Sequence, residues 1–173
     1  QRQMCIRDRT EVNNLNTARV QLAGDGTYTS ALGFGGATTK NETESWNGTN
    51  WTEVNNLNTG RQYLAGTGTD NTNALAFGGR ASPGRVANTE SWNGTNWTEV
   101  NDLNQLREKL GGAGASNTSA LAFTGDIPPT THNTELWNGT NWTDVADINN
   151  KREDRAGTGT CLLYTSDAAD DGL

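Results

Sequence analysis

The chain has 173 residues, of which 32% are hydrophobic and 21 are glycine, and it carries a formal net charge of −7. An acidic surface repels phosphate, which disfavours non-specific nucleic-acid binding, and no apolar run reaches the ~18 residues that a membrane-spanning helix needs. Abundant Gly, Asn and Thr can mark disorder, but six regularly spaced Trp point instead to a packed, turn-rich β protein, because a disordered chain has no use for periodic large aromatics.

Residues 1–9 follow no pattern. From residue 10 to residue 160 the chain repeats every 42 to 46 residues. Each unit carries an arginine (Arg19, Arg61, Arg107, Arg152) and then a small-residue stretch: LAGDGT at 22–27, LAGTGT at 64–69, LGGAGA at 110–115 and RAGTGT at 155–160. That stretch predicts a first strand in a place with little room for side chains. A turn (DGTYTS, DNTN or SNTS) leads to the apolar run ALGFGG, ALAFGG or ALAFTG, the predicted second strand. TESW or TELW forms the third and NWTEV or NWTDV the fourth. Between them WNGTNWT recurs unchanged at 46–52, 92–98 and 137–143. Asn-Gly readily takes positive φ and closes tight hairpins, so Trp46 faces Trp51, Trp92 faces Trp97 and Trp137 faces Trp142. Apolar residues alternate with a period of two, so no helix is expected.

Four antiparallel strands in about 45 residues is the size of one β-propeller blade. At these residues the chain resembles the kelch family: a double glycine ends the second strand (Gly35–Gly36, Gly78–Gly79), an aromatic precedes a turn (Trp46, Trp92, Trp137), a second Trp follows (Trp51, Trp97, Trp142), and then Arg (Arg61, Arg107, Arg152). Three departures stand out. The first aromatic is Trp where the family favours Tyr, the turn is Asn-Gly rather than Asp-Pro, and the third double glycine reads Thr124–Gly125. The resemblance implies an all-β fold: a partial kelch-like propeller of about three four-stranded antiparallel blades plus fragments. Kelch propellers include enzymes, adaptors and adhesive proteins. Blades this rich in Asn, Gly and Trp are similar to those of phage and metagenomic repeat proteins, some from tail or fibre structures.

The pattern breaks abruptly at both ends. Residues 1–9 stand where WNGTNW is due, and residues 161–173 replace the expected turn and second strand. Both tails resemble translated sequencing-adapter read-through, which implies an internal fragment of a larger propeller. Its partners would then include the missing blades of its own chain.

The repeat also weighs the candidate chemistry. Glu44, Glu90 and Glu135 recur in one register, whereas catalysis needs one asymmetric site, so they are assigned to blade surfaces or to bonds with neighbouring backbone. The repeated arginines are assigned to tying a loop to the next blade, since a guanidinium offers five donors in a fixed fork. His132, the single histidine, has no partner at catalytic or metal-ligand spacing. Cys5 and Cys161 lie outside the repeats and define no metal or disulfide framework. The unequal segments are the loops between second and third strands, ATTKNE, RASPGRVANTE and DIPPTTHNTE. Repeats supply a scaffold and unequal loops supply recognition, so Lys40, Arg80, Arg85 and His132 form the candidate contact surface. The expectation is a non-catalytic binding or structural module that needs no cofactor, binds a protein or a surface glycan, and belongs to a virion or cell-surface setting. The alternatives are the non-catalytic part of a carbohydrate-active enzyme such as a propeller oxidase, or an intracellular kelch adaptor.

Overall fold

A computed structural model describes residues 11–126 and 133–148. Within them twelve strands form three four-stranded antiparallel sheets, each in simple sequence order. The first blade holds β1 (Ala23–Thr27), β2 (Ser30–Phe34), β3 (Thr43–Trp46) and β4 (Trp51–Val54). The second holds β5 (Ala65–Asp70), β6 (Asn73–Phe77), β7 (Thr89–Trp92) and β8 (Trp97–Val100). The third holds β9 (Gly111–Ser116), β10 (Ser119–Phe123), β11 (Thr134–Trp137) and β12 (Trp142–Val145). The all-β, blade-by-blade architecture read from the repeat is therefore present, with no helix among the described residues. Residues 1–9, Arg152, His132 and the segment 161–173 lie outside the described residues.

The small first strands sit innermost, β1 beside β5 and β5 beside β9. The reason is steric. A Cβ on Gly66 would lie 2.5 Å from Cζ of Phe34, and one on Gly112 would lie 2.8 Å from Cζ of Phe77. Each phenyl ring closes the end of a second strand and rests on the glycine of the following blade. The hydrophobic core therefore lies between the sheets. Ala23, Leu32 and Phe34 pack against Leu57, Leu64 and Trp97 at the first junction. Ala65, Leu75 and Phe77 pack against Leu103, Leu110 and Trp142 at the second. Burying a side chain such as Phe34 or Phe77, both fully covered, contributes roughly 1.5–3 kcal/mol.

The two Trp of each unit face each other as expected, with ring centroids 5.4, 5.4 and 5.3 Å apart, but their polar ends do different work. The first is tied within its own blade: the indole N–H groups of Trp46, Trp92 and Trp137 each donate at 2.9 Å to a carbonyl in the turn between first and second strands. The second reaches back to the preceding blade. Trp97 donates to Thr43 Oγ1 at 3.0 Å and packs edge-on to Phe34, while Trp142 donates to Thr89 Oγ1 at 3.1 Å and packs on Phe77. Asn71 adds a polar staple to the first junction, donating to Ser45 Oγ at 3.0 Å. Asn117 repeats it on Ser91 at 3.1 Å.

The repeated acids are not surface residues. Glu44, Glu90 and Glu135 are at most 1% exposed, and each pairs with the arginine of the connection that leads into its blade. Arg19 bonds Glu44 at 2.7 Å, Arg61 bonds Glu90 at 2.9 Å, and Arg107 bonds Glu135. Each arginine also donates to two backbone carbonyls, those of Gly78 and Asn88 in the case of Arg61, at 3.1 and 2.5 Å. The second carboxylate oxygen accepts the backbone N–H of Asn16, Asn58 or Asn104 at 2.7 Å. Burial pulls the Arg61 and Arg107 guanidiniums below their ordinary values and pushes the Glu135 carboxyl up, with the ionic partner opposing in each case.

The double glycines lie just past the strands and turn the chain at positive φ, +71° and +130° for Gly35 and Gly36, +63° and +102° for Gly78 and Gly79. Thr124 takes the same left-handed region at φ 62°, which costs a side-chain-bearing residue ~1–2 kcal/mol.

Two outcomes are expected. Arg61→Met strands a buried carboxylate and lowers stability by about 3–5 kcal/mol, whereas the double change Arg61→Met with Glu90→Leu recovers most of that loss; urea denaturation reads both. The second concerns Asp25, which shares the face of β1 that packs on the second blade. Burial pushes its carboxyl up to about 6, against the pull of the Gly26 N–H. The ionised form is therefore the unfavourable one in the folded chain. Asp25→Asn should stabilise the protein by an amount that grows from pH 4 to pH 6 and stays constant above, as thermal melts across that range would show.

Candidate functional site

In a four-stranded meander, the loops joining second to third strands and the connections joining blades emerge together. Backbone hydrogen bonds lace them here: Gly36 N–H donates to Arg61 O at 2.8 Å, Gly79 N–H to Arg107 O at 2.8 Å, and Gln62 and Arg80 exchange bonds at 3.0 and 2.8 Å. The hairpins at the outer rim are, by contrast, alike in every blade. The Asn47 carboxamide oxygen accepts the N–H of Thr49 and Asn50 at 3.0 and 2.9 Å, and Asn93 and Asn138 repeat the turn. Asn55 and Asn101 then bridge to the hairpin of the next blade. The rim is uniform and satisfied by its own groups, so blade-specific chemistry gathers at the loop end.

There the structure joins two of the four candidate residues. Arg80 Nε lies 3.1 Å and Arg85 Nε 3.2 Å from the two carboxylate oxygens of Glu108, whose side chain is only 4% exposed. Arg85 also donates to Asp126 at 2.8 Å, a bond that holds its guanidinium above its ordinary value. Two arginines from the second blade's loop thus clasp two acids at the base of the third blade. Arg80 is the open member, with 45% of its side chain exposed. Lys40 does not join this cluster. It pairs with Glu42 at 3.0 Å, and the Glu42 carboxyl is held low first by its own backbone N–H and then by Lys40. His132 falls outside the described residues.

The sequence reading missed the residues that complete this end. Gln21, Tyr63 and Lys109 follow the repeated arginine by two positions and adopt φ of 58°, 55° and 55°. Their backbones form a chain across the blades, Tyr63 N–H to Gln21 O at 3.1 Å and Lys109 N–H to Tyr63 O at 2.9 Å, and the Lys109 ammonium lies 5.6 Å from the Tyr63 ring centre. The signal was present: between Arg and the small-residue strand the units read VQ, QY and EK, the same inequality that drew attention to the loops.

Tyr63, Lys109, Arg80 and Arg85 offer donors and one aromatic ring from backbone held by the blades. Both acids of the cluster are paired with arginine. Among the described residues no group of three or more His, Cys, Asp or Glu side chains could hold a metal ion. Comparison with protein-family models and with curated proteins returned no match for this chain.

Glu108→Ala removes the shared counter-charge, so the loop carrying Arg80 and Arg85 should loosen. Trypsin is then expected to cleave after these two residues faster than in the parent chain, with little change in melting temperature; equal cleavage rates would show that Glu108 does not hold the loop.

Proposed function

We propose that this chain is part of a kelch-type propeller acting as a non-catalytic binding or structural module, with the loop end of its blades as the contact surface. One contrast carries the reading. The rim repeats without change, while the loop end differs in every blade and presents Arg80, Arg85, Tyr63 and Lys109 from rigid backbone. A catalytic module would concentrate titratable groups in one asymmetric cleft, whereas a recognition module diversifies the surface of a constant scaffold. The likeness of these Asn-, Gly- and Trp-rich blades to phage and metagenomic repeat proteins favours a surface polymer, a glycan or a protein, as the ligand, in a virion or extracellular setting.

The test is an array of surface glycans together with immobilised cell-surface proteins, probed with the full chain. A ligand should be captured, and Arg80→Ala should weaken capture about tenfold, the effect of losing one well-placed charged hydrogen bond of ~1.5 kcal/mol. The rim change Thr95→Ser should leave capture unchanged. Absence of any ligand would defeat the binding reading, and an unaffected Arg80→Ala would move the contact surface elsewhere.

A further inference from the structure

The net charge of −7 is unevenly spread. Arg19, Arg61 and Arg107 are spent in the buried latches, their side chains fully covered. Every other cation among the described residues stands at the loop end: Lys40, Arg80, Arg85 and Lys109. The outer strands carry exposed acids instead, Glu53, Glu99 and Asp144, at one register position of each hairpin. A chain this acidic repels a polyanion except where its cations gather.

Within the loop end Arg80 is the least committed cation. Its Nε lies 3.1 Å from Glu108 Oε2, yet that buried oxygen accepts no hydrogen bond among the described residues. The guanidinium balances the charge without docking its fork, and 45% of the side chain is exposed. Arg85, by contrast, is also pinned by Asp126 at 2.8 Å.

The backbone exchange between Gln62 and Arg80 sets Arg80 opposite the residue that precedes Tyr63. Tyr63 and its equivalents Gln21 and Lys109 all sit at positive φ, a region that glycine takes without strain and other residues do not. The repeat uses glycine at such φ values at Gly35, Gly36, Gly78 and Gly79. Here it holds three unlike side chains. Strain kept where glycine would relieve it points to side chains that make contacts of their own.

Resting on the reading that the loop end is the contact surface, we infer that its ligand is a carboxylate-bearing glycan, with Arg80 binding the carboxylate and Tyr63 supporting the sugar ring. A guanidinium fork gives a carboxylate two parallel hydrogen bonds. The Tyr63 ring offers an apolar body for the C–H face of a pyranose, and the Lys109 ammonium, 5.6 Å from the ring centre, adds positive charge beside it. Glu108 favours a sugar over an acidic peptide. When the ligand draws the Arg80 guanidinium outward, Oε2 needs a donor. A sugar hydroxyl supplies one, whereas the carboxylates of an acidic peptide bring only acceptors and like charge.

Biolayer interferometry of the full chain tests this at about 0.15 M salt, where screening over about 8 Å leaves only charges near the contact to act. The immobilised probes are polygalacturonate, polysialic acid, carboxyl-reduced polygalacturonate and polyglutamate. Capture is expected on polygalacturonate or polysialic acid, which separates uronate from sialate as the source of the carboxylate. The carboxyl-reduced polymer and polyglutamate should not capture the chain. Arg80→Ala should weaken capture about tenfold, and Arg80→Lys, which keeps the charge but not the fork, should recover only part of that loss. Tyr63→Gly removes the ring and relaxes the positive φ, so capture should fall while circular dichroism shows a folded chain. Glu53→Lys adds positive charge on an outer strand and should leave capture unchanged. Capture on neither acidic glycan overturns the inference, as does equal capture on the carboxyl-reduced polymer or on polyglutamate. A gain with Glu53→Lys as large as the loss with Arg80→Ala also overturns it, since net charge alone would then explain binding. Arg80-dependent capture of a neutral glycan or a protein instead sinks the acidic-glycan inference while leaving the loop end as the contact surface, and capture unaffected by Arg80→Ala removes both.

Discussion

A phenyl ring over a glycine sets the geometry of this protein. Phe34 on Gly66 and Phe77 on Gly112 fill the room that a side chain on the neighbouring inner strand would take, and the rest follows from that approach. With the inner strands so near, the sheets diverge outward, and the widening wedge is filled by leucines and then by the indoles of Trp97 and Trp142. A sheet of this kind has no core of its own. Its stability comes from its neighbours, as in other repeat architectures where each unit buries its apolar face only by stacking.

Packing of apolar faces alone would leave the connections between blades free to swing. The buried Arg–Glu pairs prevent this. Desolvating two charges is expensive, and a buried pair is favourable only when its remaining hydrogen bonds are satisfied. Here the guanidinium caps two carbonyls beside the double glycine, and the carboxylate collects backbone N–H groups from the same connection. Each latch therefore immobilises the start of its own blade, and with it the residues that follow at the loop end. Gln21, Tyr63 and Lys109 follow these latches directly, joined by their own backbone hydrogen bonds, and Glu108 receives Arg80 and Arg85 on the same connection.

Much of this was legible in the repeat. The Asn-Gly hairpin has a defined length, so the facing of Trp46 and Trp51 could be read from spacing, and the Ala/Gly stretch announced a crowded inner strand. The double glycine marked the end of the second strand, and Thr124 could be recognised as a departure from it; the positive φ of the turn there came from the structure. The partnership of Arg61 with Glu90 was not legible, since the two lie 29 positions apart and nothing local distinguishes a buried acid from a surface one. The same holds for the second Trp: spacing placed it opposite the first, but its hydrogen bond to Thr43 spans 54 positions and crosses to another blade. Arg80 and Arg85 were singled out as loop cations. Their convergence on Glu108 depended on where the next blade begins.

Local chemistry, repeated, determined the strands, the hairpins, their register and the number of blades in this stretch, because turn residues and alternating apolar positions act over a few bonds. Tertiary structure alone decided which face of each blade meets which, where the charges are buried, and which side chains remain open. Those outcomes depend on excluded volume and desolvation between segments dozens of residues apart.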